Sequence, residues 1–352
     1  MTFAMLCPFP PDRDGIAIYS QRLARAFIAR KWQPFVIWYS RFRYEESYVH
    51  GMLSKHNPFS YIRIAFALRS RKFTSLLIEH EYLYYNILFF PFFIGLLRLL
   101  GIRSTIVMHT VAPFDRGVKR FIFRMIDSSV LLCAGTVFVH TEHAKQRLQK
   151  SSFVKREIRV VNIPVPIIEL APAKLRRPRF LCFGFAYPDK SFETAIEAMD
   201  GVDADLVVAA SLNPRMLVGK KYLETLRTLA AGKKNVKLID RYVSDDERRK
   251  LFQDCTAMIF PYRFIEQSAV LSESWGAGRI PVCSDIPAFK EEIQTTGAGL
   301  LFRKGDPADL RRVLRELASS PQLQKKLEAA VRKVAAERSF ETLSGEFMRV
   351  VM

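Results

Sequence analysis

The sequence predicts an α/β protein built as two Rossmann-like domains, each a doubly wound parallel sheet. Three observations predict it. Short apolar runs with strand character alternate with longer amphipathic runs of helical spacing. A proline-rich stretch, 164–179, breaks the alternation near the middle of the chain, and beyond it the alternation starts again. At 352 residues each half is long enough to bury a core of its own. The expected division is 1–166 as the first domain, 167–178 as a linker and 179–336 as the second domain. Residues 337–352 form a last helix that has no strand to serve in the second sheet and is expected to cross back to the first domain.

In order, FAMLCPF (3–9) is a strand and PPDRDG a turn-rich loop. The next run, 16–31, has helical spacing, with Ile16, Tyr19, Leu23, Ala26 and Phe27 on one side and Arg22, Arg25 and Arg30 largely on the other. PFVIWYS (34–40) is the second strand. Residues 41–60 are aromatic, basic and without clear period, and a basic helix then leads to the strand LLIEHEY (76–82). The strands TIVMHTV (105–111), TVFVHT (136–141) and RVVNIPV (159–165) follow, separated by a basic helix over 116–133 and a short helix. In the second half, strands are expected at 179–185, 205–210, 236–240, 257–260, 280–284 and 299–302. Helices start at Ser191, near 219, at Ser244, around Glu273, and over 306–319 and 321–336. Ser244 with Glu247 three residues on forms a capping box.

The formal charge of +19 implies a polyanionic partner: nucleic acid, an anionic membrane surface or a phosphate-bearing substrate. Five scattered cysteines without CxxC spacing read as buried thiols of a reducing compartment, and the N-terminal run reads as no signal peptide, so a cytoplasmic protein is expected. The run 84–100, YYNILFFPFFIGLLRLL, is apolar almost throughout but holds Pro91 and Arg98 and is short of a membrane span; a buried helix is expected, with a face dipping into a membrane as the alternative.

The stretch 257–289 carries the chemistry. It reads as a buried strand, a polar loop with Arg263, a helix centred on Glu273, a glycine turn and a second buried strand. Such a unit offers free N–H groups and a positive dipole end at the carboxyl edge of a parallel sheet, which suits an anionic ligand.

These residues resemble the GT-B glycosyltransferases, specifically the large retaining family 4. The resemblance runs through PFPPDRDGIAIYSQRLARAF, IVMHTVAPF, TVFVHTEHAKQRL, VVNIPVP, FGFAYPDKSFETAIEAM, FPYRFIEQSAVLSESWGAGRIPVCSDIPAFKEEI and GAGLLFRKGDPADL. It implies an acceptor-binding first domain and a nucleotide-sugar-binding second domain facing each other across a cleft, and a metal-independent transfer of sugar with no further cofactor. By the same resemblance, Glu273 binds the ribose of the donor; on physical grounds the N–H groups of Ser268, Ala269 and Val270, at the helix start and outside its ladder, suit the diphosphate. The partner glutamate of the family lies eight positions earlier, at Ile265 here; Glu266 is one residue out of place, and Gln267 stands beside it in the same donor loop. Lys190 matches the family lysine that neutralises the leaving diphosphate, but the accompanying arginine is Phe185, so Arg263 is expected to replace it. His109 matches a pocket histidine near the donor sugar, and Gly15, between the first strand and the first helix, lets the loop approach a phosphate or the acceptor.

His80 and Glu81 are candidates for the acceptor side, and His140 and His143 read as structural. The DxD pairs Asp12/Asp14 and Asp203/Asp205 sit in a turn and ahead of a strand and are taken as chance matches, so no metal site is expected. The function expected is transfer of a sugar to an acceptor glycan or lipid-linked sugar by a protein at the cytoplasmic membrane face. A basic nucleic-acid-binding protein and a catalytically silent GT-B scaffold are the alternatives; the first lacks any recognition motif.

Overall fold

In the computed structural model the described residues are 2–12, 15–111, 117–171, 175–212, 219–265 and 267–351. The chain divides into two compact units, one formed by 1–163 with 340–352 and the other by 164–339.

The first unit holds a seven-stranded parallel sheet. Its strands are β1 (Thr2–Leu6), β2 (Gln33–Tyr39), β3 (Val49–Leu53), β4 (Ser75–His80), β5 (Arg103–Met108), β6 (Thr136–Val139) and β7 (Arg159–Val160), in the order β3-β2-β1-β4-β5-β6-β7. The order reverses between β1 and β4. Its helices are α1 (Gly15–Ala29), α2 (Pro58–Ser70), α3 (Phe89–Leu99), α4 (Gly117–Cys133) and α5 (Glu142–Ser151). Right-handed crossovers put helices of leftward and rightward steps on opposite faces. Hence α2, α3, α4 and α5 lie side by side on one face, while α1 on the other face packs with a last helix of the unit, Phe340–Val351. Phe340, Phe347 and Met348 of that helix are buried in the first unit's core.

The second unit holds a six-stranded parallel sheet of β8 (Arg179–Phe185), β9 (Asp205–Ser211), β10 (Val236–Ile239), β11 (Ala257–Phe260), β12 (Ile280–Ser284) and β13 (Leu300–Phe302), in the order β10-β9-β8-β11-β12-β13. This order reverses between β8 and β11. Its helices are α6 (Phe192–Ala198), α7 (Lys220–Ala231), α8 (Asp245–Gln253), α9 (Ala269–Gly276), α10 (Pro287–Thr296), α11 (Pro307–Ser319) and α12 (Pro321–Glu337), so that the last helix is α13 (Phe340–Val351). Local chemistry sets the helix starts. The Ser244–Glu247 capping box is formed in both directions, and Asp306 and Ser320 cap helices whose first residue is proline.

Five expectations need correction. Strand β3 lies in the stretch without period, where it is an edge strand holding Gly51. Strand β7 has two residues rather than running to 165, because its partner β6 ends at Val139, opposite Val160, and Val165 pairs instead with Ser339. The 84–100 run is a helix only over Phe89–Leu99, since the Asn86 side chain accepts from the Leu88 and Phe89 N–H groups and turns the chain before it. Nor is α3 buried all round: Phe90, Phe93, Ile94 and Leu97 enter the core, whereas Phe92 and Leu99 are exposed. Lastly, the start of the proline-rich stretch is not a free connection. The Val165 N–H donates to Arg338 O at 2.6 Å and the Ile168 N–H to Gly276 O at 2.9 Å, which fastens it to the second unit. Among the described residues, no helix is long and apolar enough to cross a membrane.

Candidate functional site

In a doubly wound sheet the crevice for ligands opens at the carboxyl ends of the two strands between which the order reverses. In the second unit these are β8 and β11. The chain leaves β8 into a single 3-10 turn, Pro188–Lys190, and leaves β11 through Pro261, Tyr262 and Arg263. The two exits are tied together, since the Arg263 N–H donates to Asp189 O at 2.7 Å. The Lys190 ammonium lies 3.7 Å from the centre of the Tyr262 ring. Burial there lowers its pKa to about 8, because desolvation disfavours the charged form.

Arg263 is held over the same turn. Its Nε donates to Ser191 Oγ at 3.1 Å and its Nη2 to Glu193 Oε1 at 2.9 Å. Ser191 sits in the left-handed region at φ 48° and is fully buried; its hydroxyl also donates to Glu193. Tyr222 donates to the other Glu193 oxygen at 2.5 Å while accepting from the Phe192 N–H at 2.6 Å. The fold thus brings together the two cations that the sequence singled out, and adds Ser191, Glu193 and Tyr222, which it did not. Arg263 is already answered by a carboxylate, so binding an anion there means exchanging one acid for another.

Downstream, Ser268 caps α9 by accepting from the Leu271 N–H at 3.2 Å. The N–H groups of Ala269 and Val270 take no part in the helical ladder. Every residue from Leu271 to Gly276 is buried, which makes Glu273 a carboxylate on a core helix. Its partner is Arg248 on α8, whose Nη1 lies 3.1 and 3.2 Å from the two Glu273 oxygens and whose Nη2 reaches Asp245 at 3.1 Å. Glu273 is therefore not a solvated helix residue, since it is 7% exposed and held by an ion pair. Two contacts seat the helix. The Trp275 Nε1–H donates to Ala298 O at 2.8 Å, and Gly276 runs so close to the stretch after 163 that an added Cβ would lie 1.8 Å from Pro166 O. Gln267 is half-buried beside the cap, and Glu266 lies outside the described residues.

In the first unit, His109 directly follows β5 and is buried. Its Nε2 is 2.8 Å from Glu79 Oε2, and its ring packs edge-on to Tyr19 and against His140. Burial raises the Glu79 pKa to about 8 and lowers those of His80 and His140 to about 3. His80 is packed among Tyr82, Tyr85 and Phe90, so it belongs to the core rather than to an acceptor surface. Glu81 is half-buried and accepts from Thr110 at 2.5 Å. His140 bonds Val161 O at 2.9 Å, and His143 is half-buried on α5. Gly15 opens α1, where an added Cβ would meet nothing within 4 Å, so nothing in the described structure requires a glycine there. Asp12 is buried and accepts from Trp38 Nε1 at 3.3 Å, Asp14 lies outside the described residues, and Asp203 and Asp205 pair with Arg177. A groove of about 640 Å³ along β8, β9, β10 and α8 is lined by none of the expected site residues.

Comparison with known proteins bears on the fold and on the second unit. Residues 177–320 match the family model described as Glycosyl transferases group 1. No curated protein sequence matches the chain. Among solved structures, sucrose-phosphate synthase from Thermosynechococcus elongatus is similar with a TM-score of 0.77 at 14% identity, covering 99% of this chain and 98% of that one. Anabaena Alr3699/HepE, solved with UDP and glucose, gives 0.77 at 11% identity over 99% and 98% of the two chains. WaaG, a glycosyltransferase involved in lipopolysaccharide biosynthesis, gives 0.69 at 14% identity over the whole of both chains. The chain thus has the GT-B fold of these glycosyltransferases, and within its second unit residues 177–320 are similar to the glycosyl transferases group 1 family.

Proposed function

We propose that the protein is a retaining hexosyltransferase that moves a sugar from a nucleotide diphosphate sugar to the hydroxyl of an acceptor glycan or lipid-linked sugar. The observation that carries this reading is the pairing of Lys190 and Arg263 over one turn at the switch point of the second sheet. Negative charge grows on the diphosphate as its bond to the sugar breaks, and two cations held in place before the reaction stabilise it without reorganising. Lys190 and Arg263 take that role in place of a metal, with Arg263 giving up Glu193 for phosphate. The N–H groups of Ala269 and Val270 receive the same diphosphate, and Glu273, anchored by Arg248, accepts from the ribose hydroxyls.

In the transfer itself, the bond from the sugar's anomeric carbon to the phosphate oxygen breaks while the acceptor oxygen bonds to that carbon on the same face. The departing phosphate oxygen takes the acceptor's proton. The UDP and glucose bound by Alr3699/HepE make UDP-sugars the first donors to try, and the role of WaaG in lipopolysaccharide biosynthesis favours a lipid-borne acceptor.

A thermal-shift and hydrolysis panel of UDP-, GDP- and ADP-sugars on wild type and Glu273→Ala tests the reading. One nucleotide class is expected to stabilise wild type and to lose most of that effect in the variant. If no donor shifts wild type, or if the variant responds equally, the assignment of Glu273 and the donor site is wrong.

A further inference from the structure

The face of the first sheet that carries α2, α3 and α4 has an unusual surface. Phe59 and Phe66 on α2, Phe92 and Leu99 on α3, and Val118 and Phe121 on α4 all project to solvent, with Phe92 80% and Leu99 85% exposed. The three helices are neighbours, so these side chains share one surface rather than being scattered over the molecule. Isolated exposed apolar residues need no explanation, but a run of them across adjacent helices marks a docking surface.

The charges on the same helices identify the occupant. Arg63, Arg69, Lys119 and Arg120 are exposed beside the apolar tips, and the one acidic residue of the three helices, Asp127, is buried against Tyr82 and Ser151. A protein partner closing over this face would bury those cations beside Ile62 and Phe121, at a desolvation penalty. A bilayer imposes no such burial. Aromatic and aliphatic tips settle at the acyl boundary while Arg and Lys stems reach back to the phosphates of the headgroups. The chain's formal charge of +19 favours a leaflet rich in anionic lipid.

We propose that the α2–α3–α4 face docks the protein onto an anionic phospholipid bilayer. The proposal rests on the transferase reading only in taking that bilayer to be the one that bears the acceptor, and binding itself is measured with neither donor nor acceptor present.

The test is co-sedimentation of the full chain with vesicles of phosphatidylcholine alone or with about one-third phosphatidylglycerol. Wild type is expected to favour the anionic vesicles at least ~10-fold at about 0.1 M salt and to lose most of that preference at about 1 M. Phe92→Glu with Phe121→Glu should lower partitioning by ~10-fold or more, and Lys119→Gln with Arg120→Gln by about fivefold per charge. Both pairs are exposed, so wild-type melting and an unchanged UDP-sugar shift are expected in each. Wild type remaining in solution with anionic vesicles overturns the proposal, as does wild-type binding by the Phe92/Phe121 variant. A dimer that this variant dissolves, without vesicle binding, would assign the face to a second copy and also overturn it. Failure of every donor to shift wild type counts against the transferase reading alone and leaves the vesicle result standing.

Discussion

Lys190 answers two opposing demands. A lysine whose pKa falls from 10.5 to about 8 on folding costs about 3 kcal/mol at neutral pH. Lys190→Met should therefore abolish most transfer while raising stability by about 3 kcal/mol below pH 8. The sign follows from proton counts: between the folded and unfolded pKa values the unfolded chain binds more protons, so wild type gains stability as pH rises from about 8 to 10.5 and the variant's advantage disappears. Denaturant melts of both proteins across that range check it. Wild-type kcat/KM, which reports the free enzyme, should fall as pH rises through about 8. Lys190 and Glu273 were singled out by the resemblance, because each matches a motif position just after a strand or within a short helix. Arg248, Glu193 and Tyr222 were not. They meet those residues across element boundaries, and nothing in the spacing of Arg248 and Glu273, 25 positions apart, shows that they touch.

Among the elements, α9 is the most constrained. It holds Glu273 on a helix with buried neighbours, and its last residue, Gly276, is pressed against the Pro166 carbonyl. Gly276→Ala forces a backbone shift of overpacking type, and a loss of about 2 kcal/mol, or about 4–8 °C in Tm, is expected in differential scanning calorimetry, together with a weaker donor shift. The sequence marked this helix through its flanking apolar strands but gave no sign of what the glycine was for. Apolar periodicity located β4, β5, β8, β9, β11 and β12 because strands covered on both faces are nearly continuous hydrophobic runs. It failed where apolar content and backbone capacity part company. β7 stopped where its partner β6 stops, Asn86 delayed α3, and Gly51 and His50 hid β3.

For the molecule as a whole, the first unit is made of two separated pieces of chain. Helix α13 contributes Phe340, Phe347 and Met348 to that unit's core, packs Phe347 on Phe138 with ring centres 6.0 Å apart, and takes a hydrogen bond from Arg30 at Glu341 O, 2.6 Å long. A chain cut after Ser339 should lose the cooperative melt of the first unit while the second still unfolds as a unit; limited proteolysis should then cleave within 1–163 and spare 164–339. The formal charge of +19 pointed to a polyanionic partner but named no face for it. That depended on the hand of the crossovers, which gathers α2, α3 and α4 together.

The same divided unit sets a timetable for biosynthesis. Residues 164–339 emerge from the ribosome as an uninterrupted segment and can complete their core as soon as α12 is out. The first unit, although synthesised earlier, stands with the place beside α1 and β4 uncovered until α13 arrives. The half of the protein made first is therefore finished last, and the interval between its emergence and completion is when a chaperone has most to protect.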